Sequence, residues 1–220
     1  MTRAGGTPGG VEVCFADLTG FGSGVEAGMA MLSSDELARA SRLHFAPDRQ
    51  RYIASHLALR SAVSERTGIS PTAIELWAGV HGKPEVRGVH GFQFSMSRAG
   101  DLAAFAFASM PVGIDVVAMA SGQRLREAVA EFCSPAELAR ISRLQAARQV
   151  EVVAQVWARK EALLKATGHG LYRQPSGVTV WQDDARLPDR WTARLESETW
   201  VVRDVAAPEG YCAAVAYRLS

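Results

Sequence analysis

The stretch VWARKEALLKATGHGL, residues 156–171, predicts a long amphipathic helix that ends at a glycine. Its apolar residues recur at intervals of one, three and four positions, which places them on one face of a helix. Glu161 and Lys165 lie one helical turn apart along the edge of that face, so we expect both side chains to be partly buried. Considered alone, the pair is explained by an ordinary salt bridge in a helix that Gly168 caps.

The composition predicts a globular protein with one substantial core or two small ones. The chain has 220 residues, of which 48% are hydrophobic and 21% are charged. A net charge of +1 argues against nucleic-acid binding, and no segment reaches the roughly 18 apolar residues of a membrane-spanning helix. Three widely spaced cysteines, Cys14, Cys133 and Cys212, argue against a disulfide framework or a zinc site and favour the cytoplasm.

Predicted helices followed by predicted strands occur twice, on either side of about residue 110. This order predicts an α+β fold rather than a doubly wound parallel sheet. We expect a disordered tail over residues 1–10, an N-terminal α+β subdomain over residues 11–110 and a C-terminal α+β subdomain over residues 111–220. We find no residue-level repeat between the two subdomains, so their similarity is an architectural expectation. A cleft between them is where we expect a ligand to bind.

Asp115 lies within the predicted strand VGIDVV, residues 112–117, where a charged side chain is unusual. Side chains alternate along a strand, so Gly113, Asp115 and Val117 share one face. A charge among apolar neighbours is costly unless it is paired or binds a cation. The sequence allows two explanations: Asp115 caps a helix or meets an arginine, or it shares a hard cation with Glu161.

The chain resembles the 4′-phosphopantetheinyl transferases, in their surfactin-type branch, at two signatures. The first signature is G-x-D, matched at residues 113–115. The second is W-x-x-K-E-A/S-x-x-K-x-x-G-x-G-L, matched at eight positions: Trp157, Lys160, Glu161, Ala162, Lys165, Gly168, Gly170 and Leu171. The segments GKP from Gly82, FSMSRAGD from Phe94 and FCSPAE from Phe132 resemble further family segments, so the resemblance runs from about residue 40 to about residue 175.

The resemblance implies an enzyme that transfers the 4′-phosphopantetheine group of coenzyme A to a serine of an acyl or peptidyl carrier protein. The other product would be adenosine 3′,5′-bisphosphate. It also implies two pseudo-symmetric α+β subdomains with coenzyme A in the cleft between them, and a monomer that serves secondary-metabolite biosynthesis. Mg²⁺ is the implied metal, and Mn²⁺ is an alternative. The sequence does not distinguish carrier proteins of peptide, polyketide or fatty-acid synthesis.

The resemblance also implies a role for each matched residue. Asp115 and Glu161 would bind Mg²⁺, and Glu161 or a metal-bound water would accept the serine proton. Lys165 and Lys160 would offset phosphate charge. From these roles, Asp115, Glu161 and Lys165 are the predicted catalytic residues. The candidates for the 3′-phosphate and adenine end of coenzyme A are Arg51, Lys83, Ser97 and Arg98. We expect His56 to pack within the protein and His169 to be exposed.

Two positions depart from the family pattern. Arg98 replaces the usual histidine and preserves a positive charge. Val117 replaces the second acid of G-x-D-x-E, so we expect only two protein carboxylates at the metal.

The sequence leaves two alternative functions open. One, which Val117 favours, is a homologue that binds coenzyme A or a carrier protein without efficient transfer. Another is a helical interaction module, which leaves Asp115 unexplained. We expect a carrier protein to dock near Arg140 and Arg143.

Overall fold

The computed structural model describes residues 1–7, 9–21, 28–79, 82–168, 174–180, 190–195 and 197–219. These residues form two halves, each with an antiparallel sheet and a 22-residue helix that packs on it. The α+β prediction is therefore confirmed. None of the helices in these ranges is both long enough and apolar enough to cross a membrane.

The N-terminal half contains a four-stranded sheet, a small hairpin and two helices. In chain order its elements are β1 (Thr2–Thr7), β2 (Val11–Asp17), α1 (Ser34–Ser41), α2 (Ala46–Thr67), β3 (Leu76–Ala78), β4 (Pro84–Val86), β5 (Gln93–Ala99) and β6 (Leu102–Ala108). The sheet order is β1-β2-β6-β5, and β3 pairs with β4. The apolar face of α2 packs on this sheet, where Leu57 and Val63 join a core with Phe105 and Phe107.

The C-terminal half repeats this plan with more short helices. Its elements are β7 (Val112–Ala118), α3 (Gly122–Glu127), α4 (Val129–Phe132), α5 (Pro135–Ile141), α6 (Ala146–Thr167), β8 (Arg190–Leu195), β9 (Glu198–Val205) and β10 (Tyr211–Arg218). The sheet order is β7-β10-β9-β8. Pro175–Gly177 form a 3-10 turn between α6 and β8.

The two sheets pack face to face, with one long helix on each outer side. Val13 of β2, Ile114 of β7 and Val215 of β10 lie in the core between the sheets. The alternate residues of the same strands face the helices. At the junction, the backbone N–H of Ile114 donates a hydrogen bond of 3.1 Å to Ser95 Oγ on β5. The halves are therefore in direct contact along β5 and β7.

The first strand corrects the prediction of a disordered tail over residues 1–10. Thr2–Thr7 pairs antiparallel with β2, and Gly9 and Gly10 adopt positive φ angles of 102° and 72° between the two strands. Strand pairing uses backbone N–H and C=O groups, so an edge strand can form from a segment with few apolar side chains.

A residue-level repeat relates the two halves, which corrects the expectation that none exists. The pattern S-x-x-E-L-A-R-x-S-R occurs at residues 33–42 and again at residues 134–143, and seven of the ten positions are identical. In each copy the serine caps a short helix and the glutamate completes a capping box. The long helix that follows ends at a glycine with φ of 74° in both halves.

Candidate active site

Asp115, Lys165 and Ser97 meet at the junction of the two halves. Asp115 is 6% exposed, and its Oδ1 accepts hydrogen bonds from Lys165 Nζ and from Ser97 Oγ, each at 2.6 Å. Asp115 lies on β7, Lys165 on α6 and Ser97 on β5 of the other half. The buried charge that the sequence left unexplained is therefore compensated by a lysine and a serine hydroxyl.

Gly113 explains how α6 comes so close to β7. A Cβ atom at this position would lie 2.0 Å from the carbonyl oxygen of Ala162 and 2.3 Å from the backbone nitrogen of Ala166. Such distances are far below van der Waals contact, so only glycine fits. The glycine of the G-x-D signature thus allows the helix that carries Lys165 to lie directly on the strand that carries Asp115.

Glu161, one turn before Lys165 on α6, is mostly buried beside Asp115. Its Oε1 is buried and has no hydrogen-bond partner among the described residues. Burial raises the pKa of Glu161 above its usual value, and the negative charge of Asp115 raises it further, while Lys165 opposes both. An unpartnered carboxylate oxygen next to a second carboxylate fits a hard divalent cation, which prefers oxygen ligands.

The carboxylates at this site number two rather than three. Val117, two residues after Asp115, is 6% exposed and packs in the apolar core of the C-terminal half, where it cannot bind a cation. Within the described ranges, no group of three or more His, Cys, Asp or Glu side chains is arranged to bind a metal. A cation held by Asp115 and Glu161 would need its remaining ligands from water or substrate.

The cluster opens into a cavity of about 430 Å³ between the halves. Its lining consists of Tyr52, Ser55, His56, Met96, Ser97, Arg98, Asp115 and Lys165. A second cavity of about 490 Å³ shares Tyr52, His56 and Met96 with the first and extends to Arg39, Arg42 and Trp77. A third, of about 260 Å³, lies on the other side of Lys165. Together they form a groove that is lined by Asp115 at one point and by several cations along its length.

Arg98 and Arg51, both predicted phosphate ligands, have different surroundings. Arg98 lines the cavity, its NH1 lies 3.4 Å from Ser55 Oγ, and burial lowers its pKa. Arg51 does not line it. Its Nε donates to Asp101 Oδ1 at 2.7 Å, and this hydrogen bond raises its pKa. Arg98 is therefore the better placed of the two to meet a ligand in this cavity.

The ammonium group of Lys83 contacts backbone carbonyls of the other half. Lys83 Nζ donates to the carbonyl oxygens of Val112 at 3.0 Å and Ala166 at 3.3 Å. Burial lowers the pKa of Lys83 to about 8. Because Val112 begins β7 and Ala166 belongs to the last turn of α6, Lys83 links the N-terminal half to the strand that carries Asp115 and to the helix that carries Lys165.

Lys160 lies in the protein interior, although it is next to Glu161 in the sequence. Its side chain is 1% exposed, and its ammonium lies 2.8 Å from Glu137 Oε2 and donates to the carbonyl oxygens of Pro175, at 3.0 Å, and Val178. These three acceptors use all three N–H groups of the ammonium. This arrangement gives no support to the predicted phosphate role of Lys160, which stays a prediction.

The groove also contains residues to which the sequence assigned no ligand role. His56 was expected only to pack; it stacks on Tyr52 with ring centroids 4.1 Å apart, and its Nδ1 lies 2.9 Å from Glu36 Oε1, yet it lines two cavities. Arg39 and Arg42 were not singled out, although their spacing places them on one face of α1. The signature residues Gly170 and Leu171, together with His169, lie outside the described residues.

Comparison with known proteins gives consistent matches in both halves. Residues 111–216 match a family model described as the 4′-phosphopantetheinyl transferase superfamily, and residues 23–110 match one described as 4′-phosphopantetheinyl transferase, N-terminal. A putative 4′-phosphopantetheinyl transferase of Synechocystis is 28% identical over 86% of this chain and 80% of the relative. A 4′-phosphopantetheinyl transferase of Bacillus pumilus is 30% identical over 72% and 69%. A phosphopantetheinyl transferase of Thraustochytrium is 33% identical over 78% and 67%.

Proposed function

Because the chain belongs to the 4′-phosphopantetheinyl transferase superfamily and is an enzyme of that class, we propose that it modifies a serine of an acyl or peptidyl carrier protein in a Mg²⁺-dependent reaction. The donor is coenzyme A, the substrate of the family. The observation that carries the proposal is that Asp115 and Lys165 line one cavity as an ion pair, with the mostly buried carboxylate of Glu161 beside Asp115. Two carboxylates that can bind a divalent cation, beside a lysine that can donate to phosphate, suit a substrate that carries a pyrophosphate.

Glu161 is the proposed general base. Its raised pKa makes it a better proton acceptor than an exposed carboxylate, and its Oε1 has no hydrogen-bond partner among the described residues. The serine oxygen forms a bond to the β-phosphorus of coenzyme A while the bond from that phosphorus to the bridging oxygen breaks. The electron pair leaves with adenosine 3′,5′-bisphosphate, and the serine proton passes to Glu161.

Asp115 and Lys165 prepare the site for the pyrophosphate. A divalent cation bound by Asp115 and Glu161 would neutralise part of the pyrophosphate charge. Lys165, whose ammonium contacts Asp115 in the structure, is close enough to donate to a phosphate oxygen in the same cavity. Ser97 keeps Asp115 oriented through its hydrogen bond, so its proposed role is to position the carboxylate rather than to bind coenzyme A.

The remainder of coenzyme A is proposed to lie along the groove toward α1. Arg98 in the first cavity and Arg39 and Arg42 in the second supply guanidinium groups, which suit the 3′-phosphate. Trp77 in the second cavity is 44% exposed and offers an aromatic face to a base. With coenzyme A placed in this way, Arg51 stays paired with Asp101 and has no proposed contact with the ligand.

We further propose the surfactin-type branch, a monomeric enzyme and Mg²⁺ as the preferred metal, with Mn²⁺ as a substitute. The presence of both halves of the repeat in one chain supports the branch and the monomer. The oxygen-only donor set supports Mg²⁺. Three free cysteines support a reducing setting such as the cytoplasm. Arg140 and Arg143 on and after α5 stay the proposed docking site for an acidic carrier protein.

The test is transfer to purified apo carrier proteins, one peptidyl and one acyl, with coenzyme A and Mg²⁺, followed by intact-mass spectrometry. We expect the wild type to add one phosphopantetheine, and Glu161→Gln to slow the transfer by a factor of about 10² to 10⁴ because the base is lost. Glu151→Gln is the matched control: Glu151 lies on the same helix, is 48% exposed and pairs with Arg148. Failure of the wild type to modify any carrier would count against the proposal.

The burial of Val117 in apolar surroundings supports a second reading, a homologue that binds coenzyme A without efficient transfer. A fluorescent coenzyme A analogue separates the two readings, since binding without any transfer would favour the second. Val117→Glu adds information: it introduces a third acid on the strand face of Asp115 at the cost of placing a charge in the core. Transfer that is gained only in Val117→Glu would identify the wild type as a binding homologue.

A further inference from the structure

Glu137 and Lys160 form a fully buried ion pair directly beside Glu161. Lys160 Nζ lies 2.8 Å from Glu137 Oε2, and the two side chains are 1% and 0% exposed. The proposed chemistry uses neither residue. Burying two charges is costly unless their remaining hydrogen-bonding groups are also satisfied. The neighbours of the pair therefore decide what it does.

The pair joins three separate segments of the C-terminal half. Glu137 lies in the first turn of α5 and accepts hydrogen bonds from the backbone N–H of Ser134 and the backbone N–H of Val180, each at 2.8 Å. Lys160 on α6 donates to the carbonyl oxygens of Pro175 and Val178. The contacts of Lys160 thus link α6 to α5 and to residues 175–180, and Glu137 links α5 to Val180. Rotation of α6 about its axis would break several of these contacts together.

The N-terminal half contains the same cluster without a catalytic neighbour. Arg60 on α2 donates to Glu36 Oε2 at 2.6 Å, and Arg60 NH1 donates to the carbonyl oxygens of Pro71 at 2.6 Å and Ile74 at 3.0 Å. Arg60 and Lys160 both occupy the fifteenth position of their 22-residue helices. The residue after Arg60 is Ser61, where the C-terminal half has Glu161. The Glu36–Arg60 pair therefore serves as an internal control for the Glu137–Lys160 pair.

We propose that Glu137 and Lys160 are positioning residues that fix the turn of α6 on which Glu161 is carried, and so hold its carboxylate beside Asp115. Consecutive side chains of a helix point about 100° apart, so a fixed Lys160 determines the direction of Glu161. Asp115 and Glu161 repel each other when both are charged, and a loosely held helix would let them separate. This inference rests on the proposed function of Glu161.

The test compares Lys160→Met with Arg60→Met, which removes the equivalent cation from the other half. We expect both variants to lower the unfolding temperature, because each leaves a buried glutamate without its cation. Only Lys160→Met should weaken Mn²⁺ binding, measured by electron paramagnetic resonance, and lower kcat, each by about 10-fold or more. Lys160→Arg should recover much of both, because Arg60 shows that a guanidinium can serve this cluster.

Two results would overturn the inference. One is a folded Lys160→Met protein with the Mn²⁺ affinity and kcat of the wild type. The other is an equal loss of both quantities in Arg60→Met, which would indicate a general loosening of the fold. If Lys160→Met does not fold, Glu137→Gln gives the same comparison with a smaller change. Failure of the proposed function would be seen differently, as no transfer by the wild type, whereas Mn²⁺ affinity can still be compared among the variants.

Discussion

In the N-terminal half α2 carries Arg60, Ser61 and Glu65, whereas α6 carries Lys160, Glu161 and Lys165 at the equivalent positions. The first residue of each set is a buried cation that fixes its helix to the segments around it. The other two residues of each set differ completely in character. Both halves therefore share this scaffold, and only α6 adds the carboxylate of Glu161 and the ammonium group of Lys165 that the proposed chemistry needs.

The strands β2 and β7 differ in the same way. Each opens its half, and their alternate residues face the same core between the sheets. Cys14, 1% exposed, stands in β2 where β7 has Asp115. Glu12 stands where β7 has Gly113, and it pairs with Arg66 of α2 at 2.6 Å. Long side chains thus separate strand from helix in one half, and glycine brings them together in the other.

Gly113→Ala should have the largest effect on this difference. The added methyl group would overlap the backbone of α6 at Ala162 and Ala166, and backbone cannot move aside as a side chain can. We expect the free energy of unfolding to fall by about 3 kcal/mol or more. Transfer activity should fall below detection, because Lys165 and Glu161 move away from Asp115. Urea denaturation followed by circular dichroism measures the first effect.

Glu12→Ala is the matched control for that prediction, since it shortens the side chain at the equivalent position of the other half. It removes a partly exposed ion pair with Arg66, so it should cost about 1 kcal/mol or less. If Gly113→Ala unfolds at the urea concentration of the wild type, the close approach of α6 and β7 would not depend on glycine.

Acid should weaken the N-terminal cluster through Glu36. Burial acts to raise the pKa of Glu36, but hydrogen bonds from His56, Arg60 and Ser33 outweigh it and lower the pKa from 4.5 to about 2. A carboxyl group with a depressed folded-state pKa contributes stability above its unfolded pKa and loses that contribution as the pH falls from about 4.5 to about 2. The wild type should therefore lose about 2 kcal/mol in this window that Glu36→Gln does not lose.

Denaturant titrations at several pH values between neutrality and pH 2 would measure the difference. Glu75→Gln serves as the control, because the Glu75 side chain is 70% exposed and pairs with Arg87 at the surface. Parallel curves for wild type and Glu36→Gln across the acid range would show that Glu36 is not the titrating group. Such a result would also remove His56 and Arg60 as the cause of the depressed pKa.

Substitution of the arginines that the two capping segments share should have the smallest effects. The pair Arg39 and Arg42 should affect coenzyme A, and the pair Arg140 and Arg143 should affect the carrier protein. Arg39→Gln with Arg42→Gln should raise KM for coenzyme A by about 10-fold, as expected for charge-assisted hydrogen bonds to phosphate. Arg140→Glu with Arg143→Glu should raise KM for the carrier protein by about threefold, because surface charges contribute little each. Steady-state kinetics with each substrate varied in turn distinguishes the pairs. An effect of both pairs on the same KM would contradict this division.

Much of the fold followed from local patterns in the sequence. The helix end at Gly168 and the strand of residues 112–117 depend on residues close together in the chain, which is why they could be predicted. The repeat in the two capping segments was also readable from the sequence, because ELAR occurs in both. It was missed because the long helices and the strands of the two halves have diverged.

The role of Lys160 could not be predicted in this way. Its position next to Glu161 suggested a shared task, but its partners Glu137, Pro175 and Val178 lie 15 or more residues away in the sequence. Spacing on a helix shows which side chains are neighbours and does not show what approaches them. The same limit applied to Arg39 and Arg42, whose distance from the signatures hid their place along the groove.

The chain contains only three lysines, Lys83, Lys160 and Lys165, against twenty-one arginines. Lys83 and Lys165 line the groove, Lys160 is buried in the interior, and none of the three is highly exposed. Amine-reactive reagents therefore meet no lysine on the open surface of this protein. Labelling at mildly alkaline pH should favour Lys83, whose pKa is about 8. Amine labelling would therefore report on the accessibility of Lys83 and Lys165 in a single groove.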